Sequence, residues 1–347
     1  MLHNFAYRIL PLILFANIVE AKMSLVEWHV KGTVVPLILP VRDSETPDQA
    51  ADRYLKNFNR TPDLIELFLG QTPQLETVEF KELSDDVTVR NRRVLFQANR
   101  PGDYTEKEAR VISFTKIFSE LGERPYLLLV NPGLGLSVHE EREVFDLVYE
   151  KFATYAGMGG DDVDPSLSRQ ENIHTRNTSP ARDDAEFRLV KHFIRRGQIE
   201  KDESKPSFYF GTCRGSQLAS VALGYKLIQD IPVQIGESVA HANDWHSIKL
   251  LPTSYNILKS VSSESNAITV NSLHHQSMIF KPGGFLELAA LAPDGGVEAT
   301  EFKNGRGMLL QFHAELMNNS LGYQILSRVV KAKNIPIKGS CRRLFAR

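Results

Sequence analysis

From residue 90 onward, short apolar runs rich in β-branched and aromatic residues alternate with stretches of helical period. That alternation commits the chain to βα units around a mostly parallel sheet. Strands are predicted at 94–97, 126–130, 154–157 and 208–210, then at 267–270, 285–291, 297–302 and 308–312. A helix is predicted over 104–121, where Val111, Phe114, Ile117 and Phe118 share a face before Gly122. Another covers 140–152, with Val144, Leu147 and Val148 on one side. A third has the acids Asp183 and Asp184 at its start and ends at Gly197, and the last covers 321–331. The turn Asp294-Gly295-Gly296 joins the strands at 285–291 and 297–302.

Residues 22–90 read as an N-terminal extension, with a strand candidate at 34–41 and helix candidates at 47–58 and 62–69 that carry proline near the first turn. Ahead of it, residues 1–21 have the pattern of an export signal: Arg8 without acids in residues 1–8, a mostly apolar 9–18, and Val19-Glu20-Ala21 for cleavage. The expectation is an exported protein, periplasmic or secreted, with a cytoplasmic alternative if translation begins at Met23. The main domain spans 91–332, and residues 333–347 form a basic tail read as solvated.

The 347 residues carry 41 Lys+Arg against 42 Asp+Glu, so no net field draws in nucleic acid or an anionic membrane. The apolar run of the signal is too short to span a bilayer as a mature helix, and no second long apolar stretch appears. The two cysteines, Cys213 and Cys341, are too few for a disulfide framework, and no Cys/His spacing of a structural zinc site is present. Neither a metal nor another cofactor is expected.

The chemistry concentrates in three segments. Phe208 to Gln217 reads as an apolar strand, a Gly-Thr-Cys213-Arg-Gly turn and a helix, which is a nucleophile elbow carrying sulfur. The cysteine lies at a helix N-terminus, where negative charge is favoured. Met308 to Glu315 reads as an apolar strand ending in His313-Ala-Glu315, and residues two apart on an extended chain point the same way. A carboxylate so placed can orient an imidazole whose other nitrogen faces a thiol. In Gly157-Met-Gly159-Gly160-Asp161, successive glycines at a strand's carboxyl end can aim main-chain N–H groups at an oxyanion, with the Arg214 N–H as partner donor. The acids that follow lack the regular spacing of a cation loop.

The ordered set of Gly159-Gly160-Asp161-Asp162-Val163-Asp164-Pro165, Cys213-Arg214-Gly215-Ser216-Gln217, Val270-Asn271-Ser272-Leu273-His274-His275-Gln276, Gly295-Gly296-Val297-Glu298-Ala299 and His313-Ala314-Glu315 resembles the gamma-glutamyl hydrolase-like peptidases of the class I glutamine amidotransferase superfamily. In particular it is similar to bacterial gamma-glutamyl-gamma-aminobutyrate hydrolases, over about residues 90–332. The resemblance implies a flavodoxin-like, three-layer α/β fold with a mostly parallel central sheet and helices on both faces. It also implies hydrolysis of a gamma-glutamyl amide through a thioester, with no cofactor. Carried onto this chain, Cys213 is the nucleophile, His313 the base and then acid, Glu315 the orienter, and Gly160 with Arg214 the oxyanion donors. Gly159, Gln217, His274 and His275 are the candidate substrate contacts.

Three positions depart from the family pattern, the first being Phe312, where tryptophan is usual. Ala314 stands where proline is usual, which loosens the hold on Glu315, and Asp161 replaces a third loop glycine, which brings negative charge toward an oxyanion site. The expected partner is a small gamma-glutamyl molecule, and a homodimer is left open. Two other functions stay open alongside: a glutaminase subunit serving a synthase, and a weakly catalytic binding or effector protein on the same fold.

Overall fold

The computed structural model describes residues 22–336, except 59–75, 99–108, 130–133, 201, 203, 263 and 264. The export signal, the helix candidate at 62–69, the start of the helix at 104–121, Cys341 and the tail beyond 336 lie outside the described residues. None of the described helices is long and apolar enough to cross a membrane.

The strands are β1 Met23–Val30, β2 Leu37–Arg42, β3 Thr77–Glu82, β4 Arg93–Ala98, β5 Arg124–Leu129, β6 Thr154–Gly157, β7 Phe208–Thr212, β8 Lys226–Ile228, β9 Ala242–Leu250, β10 Ala267–Leu273, β11 Ser277–Ile279, β12 Leu286–Leu291, β13 Val297–Phe302 and β14 Gly307–Leu310. The longer helices are α1 Pro47–Phe58, α2 Ala109–Glu120, α3 Val138–Lys151, α4 Pro180–Ile199, α5 Arg214–Ala222 and α6 Ser320–Ala332. Twelve strands form one sheet in the order β10-β9-β12-β13-β14-β7-β6-β4-β5-β2-β1-β3. Its centre, from β14 to β2, is parallel throughout. Antiparallel strands flank it on both sides, β13, β12, β9 and β10 beyond β14, and β1 and β3 beyond β2.

Period-two burial produces the three layers. Phe96, Phe208 and Phe210 point to one face, where they meet Phe114 and Phe118 of α2 and Ile325 and Leu326 of α6. Leu95, Tyr155 and Tyr209 point to the other, against Val144 of α3, Phe193 of α4 and Leu218 of α5. The fold is α/β with helices on both faces of a sheet that is parallel at its centre and antiparallel at its edges.

The sheet runs across residue 90. β2 pairs in parallel with β5, and β1 bridges β2 and β3, so residues 22–90 supply three strands of the same sheet. Within that segment α1 starts where the proline signal places it. Thr46 accepts from the Gln49 N–H at 3.3 Å, and the Gln49 side chain accepts from the Thr46 N–H at 2.8 Å. Two elements differ from their expected ends. α4 begins at Pro180 and passes Gly197, a position without room for a side chain because a Cβ there would lie 2.8 Å from Ser207 Oγ. β14 stops at Leu310, two residues short of Phe312.

Candidate active site

The site lies at the carboxyl ends of the parallel strands β6, β7 and β14. Cys213 joins β7 to α5 with φ 50° and ψ −110°, a backbone conformation costly for a residue with a Cβ and one that the surrounding packing must hold. Its N–H donates to the Leu310 carbonyl at 2.8 Å, which ties the turn to β14. The flanking glycines are sterically required: a Cβ on Gly211 would lie 2.8 Å from the Gly215 carbonyl oxygen, and one on Gly215 would collide with the Gly157 carbonyl. Tyr209 closes the turn by donating its hydroxyl to the Gly215 carbonyl at 2.9 Å. The cysteine sits at the α5 N-terminus, 7% exposed, and Arg214, as the first helical residue, has no carbonyl within the helix for its N–H.

His313 and Glu315 meet as expected, by a different local route. The strand has already ended, and His313 precedes the 3₁₀ turn Ala314–Leu316, which brings Glu315 Oε1 to 2.6 Å from His313 Nδ1. The other ring nitrogen, Nε2, lies on the Cys213 side: a Cβ built on Gly159 would stand 3.3 Å from it and 3.6 Å from Cys213 Cβ. Burial disfavours the imidazolium, but the Glu315 carboxylate and the Cys213 sulfur outweigh it and push the His313 pKa up to about 10. Asn271 of β10 clamps the base from behind. Its amide donates to the His313 carbonyl at 2.9 Å, and its oxygen accepts from the His313 N–H at 3.0 Å. Ala314 is buried at 2% exposure, and its carbonyl packs against Gly322 of α6, so packing holds this turn without the ring of a proline.

The glycine loop comes to the same place. A Cβ on Gly159 would lie 2.6 Å from His313 Cε1 and 3.6 Å from Cys213 Cβ, so the bare backbone of Gly159 faces both groups. Gly160 backs onto the Arg182 guanidinium. The Asp161 carboxylate lies 3.6 Å from the same guanidinium, so its charge is opposed by a cation.

Beneath the loop runs a buried ion network. The Arg214 side chain pairs with Asp183 at 2.6 Å and Glu186 at 3.1 Å, and donates to the carbonyls of Asp161 and Asp162. Arg182 pairs with Glu186 at 2.6 Å. Asp183, read from sequence only as a helix-start acid, also accepts the Asp164 N–H at 3.1 Å.

The remaining candidates separate. His275 stays at the rim, 29% exposed, with Nε2 2.9 Å from Asp162 Oδ1 and Nδ1 3.4 Å from Asp230. The Asp162 hydrogen bond raises its pKa against the effect of burial. Gln217 and His274 do not reach the loop as substrate contacts. Gln217 is buried and donates to the Gln276 carbonyl at 3.3 Å and to Gln311 Oε1 at 3.4 Å, where it braces two segments of the site. His274 turns the other way, with Nδ1 3.0 Å from the Gln276 carbonyl and Nε2 3.4 Å from Glu298. On adjacent residues of one motif the two histidine rings face opposite sides of the chain, a separation that their spacing in sequence does not carry. Arg182, Glu186 and Asn271 had no assigned role in the sequence, and only Asn271 stood within a motif.

Comparison with known proteins places the chain in a family. The Peptidase C26 family matches residues 133–315, which include Cys213, His313 and Glu315. The chain is 31% identical over 210 residues to the glutamine amidotransferase-like protein YvdE of Lactococcus lactis, covering 58% of this chain and 79% of that one. It is also 31% identical over 175 residues to the protein NtpR of Enterococcus hirae, covering 47% of this chain and 66% of its relative. Among solved structures, a glutamine amidotransferase from Methylobacillus flagellatus aligns over 72% of this chain and 97% of its own, at 11% identity and a TM-score of 0.46. The family supports an amide-hydrolase or glutaminase-type activity, and the chain belongs to the Peptidase C26 family of class I glutamine amidotransferase-like proteins.

Proposed function

We propose that this protein is a cysteine hydrolase that cleaves gamma-glutamyl amide bonds through a thioester and releases glutamate. The observation that carries the reading is Cys213 held at positive φ on a helix N-terminus, with the His313 ring beside it at Gly159 and Glu315 behind His313. With the proton of the pair on His313, the sulfur attacks the gamma-carbonyl, and the tetrahedral oxyanion is received by main-chain N–H groups of Gly160 and Arg214. Collapse of that intermediate expels the amine, which takes the His313 proton. His313, now neutral, removes a proton from water as the water attacks the thioester, and glutamate leaves as the proton returns to the sulfur–imidazole pair. Gly159 gives the acyl group room beside the ring, and His275 with Asp162 offers a charged rim to the amino-acid end of the substrate.

The test is glutamate release from a panel of gamma-glutamyl amines, gamma-glutamyl peptides and free glutamine, with wild type and Cys213→Ala in parallel. Release by the wild type that falls by at least ~10³-fold in the variant is the expected result. Equal release by both, or none from any substrate, would remove the assignment.

A further inference from the structure

Away from Cys213, the antiparallel flank of the sheet draws three histidines and a glutamate to one buried point. His241 precedes β9, His246 lies within it, His274 follows β10, and Glu298 is in β13. Their side chains are 1%, 8%, 1% and 0% exposed. Glu298 Oε1 lies 3.4 Å from His241 Nδ1, 3.3 Å from His246 Nε2 and 3.4 Å from His274 Nε2. None of these four atoms has a hydrogen-bond partner among the described residues.

The opposite nitrogen of each ring fixes its tautomer. His241 Nε2 lies 2.9 Å from Asp294 Oδ2, His246 Nδ1 3.2 Å from the Ala240 carbonyl, and His274 Nδ1 3.0 Å from the Gln276 carbonyl. All three partners only accept, so each outer nitrogen carries its hydrogen, and in the neutral form each ring turns a lone pair inward. Three nitrogen lone pairs and a carboxylate oxygen facing one another out of water repel unless a cation lies between them. A carboxylate or carbonyl behind each histidine is also how metal-bound imidazoles are oriented. Zinc bonds of about 2.0–2.2 Å to N and O set ligand atoms about 3.3–3.5 Å apart, the range of the distances from Glu298 to His241 and His246, and these three ligand atoms all lie within 4.8 Å of one another. A Zn²⁺ charge would balance the carboxylates of Glu298 and Asp294.

From this geometry we propose that His241 Nδ1, His246 Nε2 and Glu298 Oε1, which all lie within 4.8 Å of one another, hold a structural zinc ion, with His274 Nε2 set against Glu298 beside it. The three ligand side chains are at most 8% exposed, so the ion braces the fold and takes no substrate. It sits where the sheet needs bracing: β9 pairs with β12 through only two residue pairs, Leu250 with Ala290 and Lys249 with Leu291. The ion would join β9 to β13 across that opening. It would also stand behind the base, because the Glu298 carbonyl accepts the Gln311 N–H at 2.8 Å and β10 carries Asn271.

The test is elemental analysis of the full-length protein purified without chelator, followed by dialysis of metal-stripped protein against ZnCl₂. About one zinc per chain is expected in wild type and in Cys213→Ala, and less than about a tenth in His246→Ala and Glu298→Gln. Asp294→Asn should keep the ligands and weaken zinc affinity ~10–100-fold. Cobalt substituted for zinc should give the visible d–d spectrum of a tetrahedral centre. Folded wild-type protein that carries no zinc as purified and takes up none on dialysis would overturn the proposal, and so would zinc that stays in both ligand variants. The wild-type result decides the matter even if a variant fails to fold.

Discussion

Single side-chain positions decide whether the sulfur and the imidazole can meet. Gly159 is the sharpest case, because the space its missing Cβ leaves is the space beside the His313 ring. In Gly159→Ala a methyl group would stand 2.6 Å from His313 Cε1, and the ring must move to accept it. A displacement of that size costs about 100-fold when it falls on reacting groups. We expect kcat for glutamate release to fall by about that factor, with a loss of stability of about 1–3 kcal/mol from overpacking. Steady-state kinetics and urea midpoints measure the two separately, and unchanged kcat would show that the ring does not need its place. The placement of Cys213, His313 and Glu315 side by side was legible in sequence because a strand-turn-helix cysteine and a His-x-Glu at a strand end each have a fixed local spacing. The directions of His274 and Gln217 were not, because a motif places residues near a site without saying which way each side chain turns. The cluster around Glu298 was hidden for a related reason. Its members stand at 241, 246, 274 and 298, in or next to three strands that only the folded sheet brings together.

At the level of elements, the parallel centre was legible because its strands are buried on both faces and read as unbroken apolar runs. β7, with all five residues buried, is the clearest example. Two of the strands that sequence missed have little core to face. β3 has no fully buried residue, and most of the first half of β9 is exposed, so neither writes a clear period-two pattern. The contact between α4 and α5 was equally hidden, because it is ionic. Arg182, Arg214, Asp183 and Glu186 are all at most 6% exposed at the side chain. Removing one partner from such a set strands the others without water, which costs about 3–5 kcal/mol. Glu186→Ala should therefore lower the unfolding free energy by about that much. Lys31→Ala, which breaks an ion pair exposed by 69% and 68% at its two side chains, should change it by less than about 1 kcal/mol. Equilibrium denaturation of the two variants side by side checks the contrast, and equal effects would mean the buried network adds nothing to stability.

For the molecule as a whole, the buried base links the candidate site to folding through pH. Unfolded, His313 would titrate near its ordinary value of 6.5, and folded it holds its proton up to about 10. A folded pKa above the unfolded one means that the native state binds the proton more tightly. The resulting stabilisation is complete below about pH 6.5 and disappears as the pH rises through about 10. Glu140 has the opposite sign. Its hydrogen bond from Arg42, acting against burial, lowers it from 4.5 to about 2, so its contribution is full above about pH 4.5 and is lost as the pH falls through about 2. Both contributions are therefore complete only between about pH 4.5 and 6.5. Differences between variants isolate each group from everything else that titrates. The melting temperature of wild type minus that of His313→Gln should be largest near pH 6 and shrink steadily toward pH 10. The same difference for Glu140→Gln should stay level across that range and collapse in acid. A His313 difference that did not change between pH 6 and 10 would mean that the folded ring does not hold its proton. The neutral-pH resting state would then lack the acid that expels the amine.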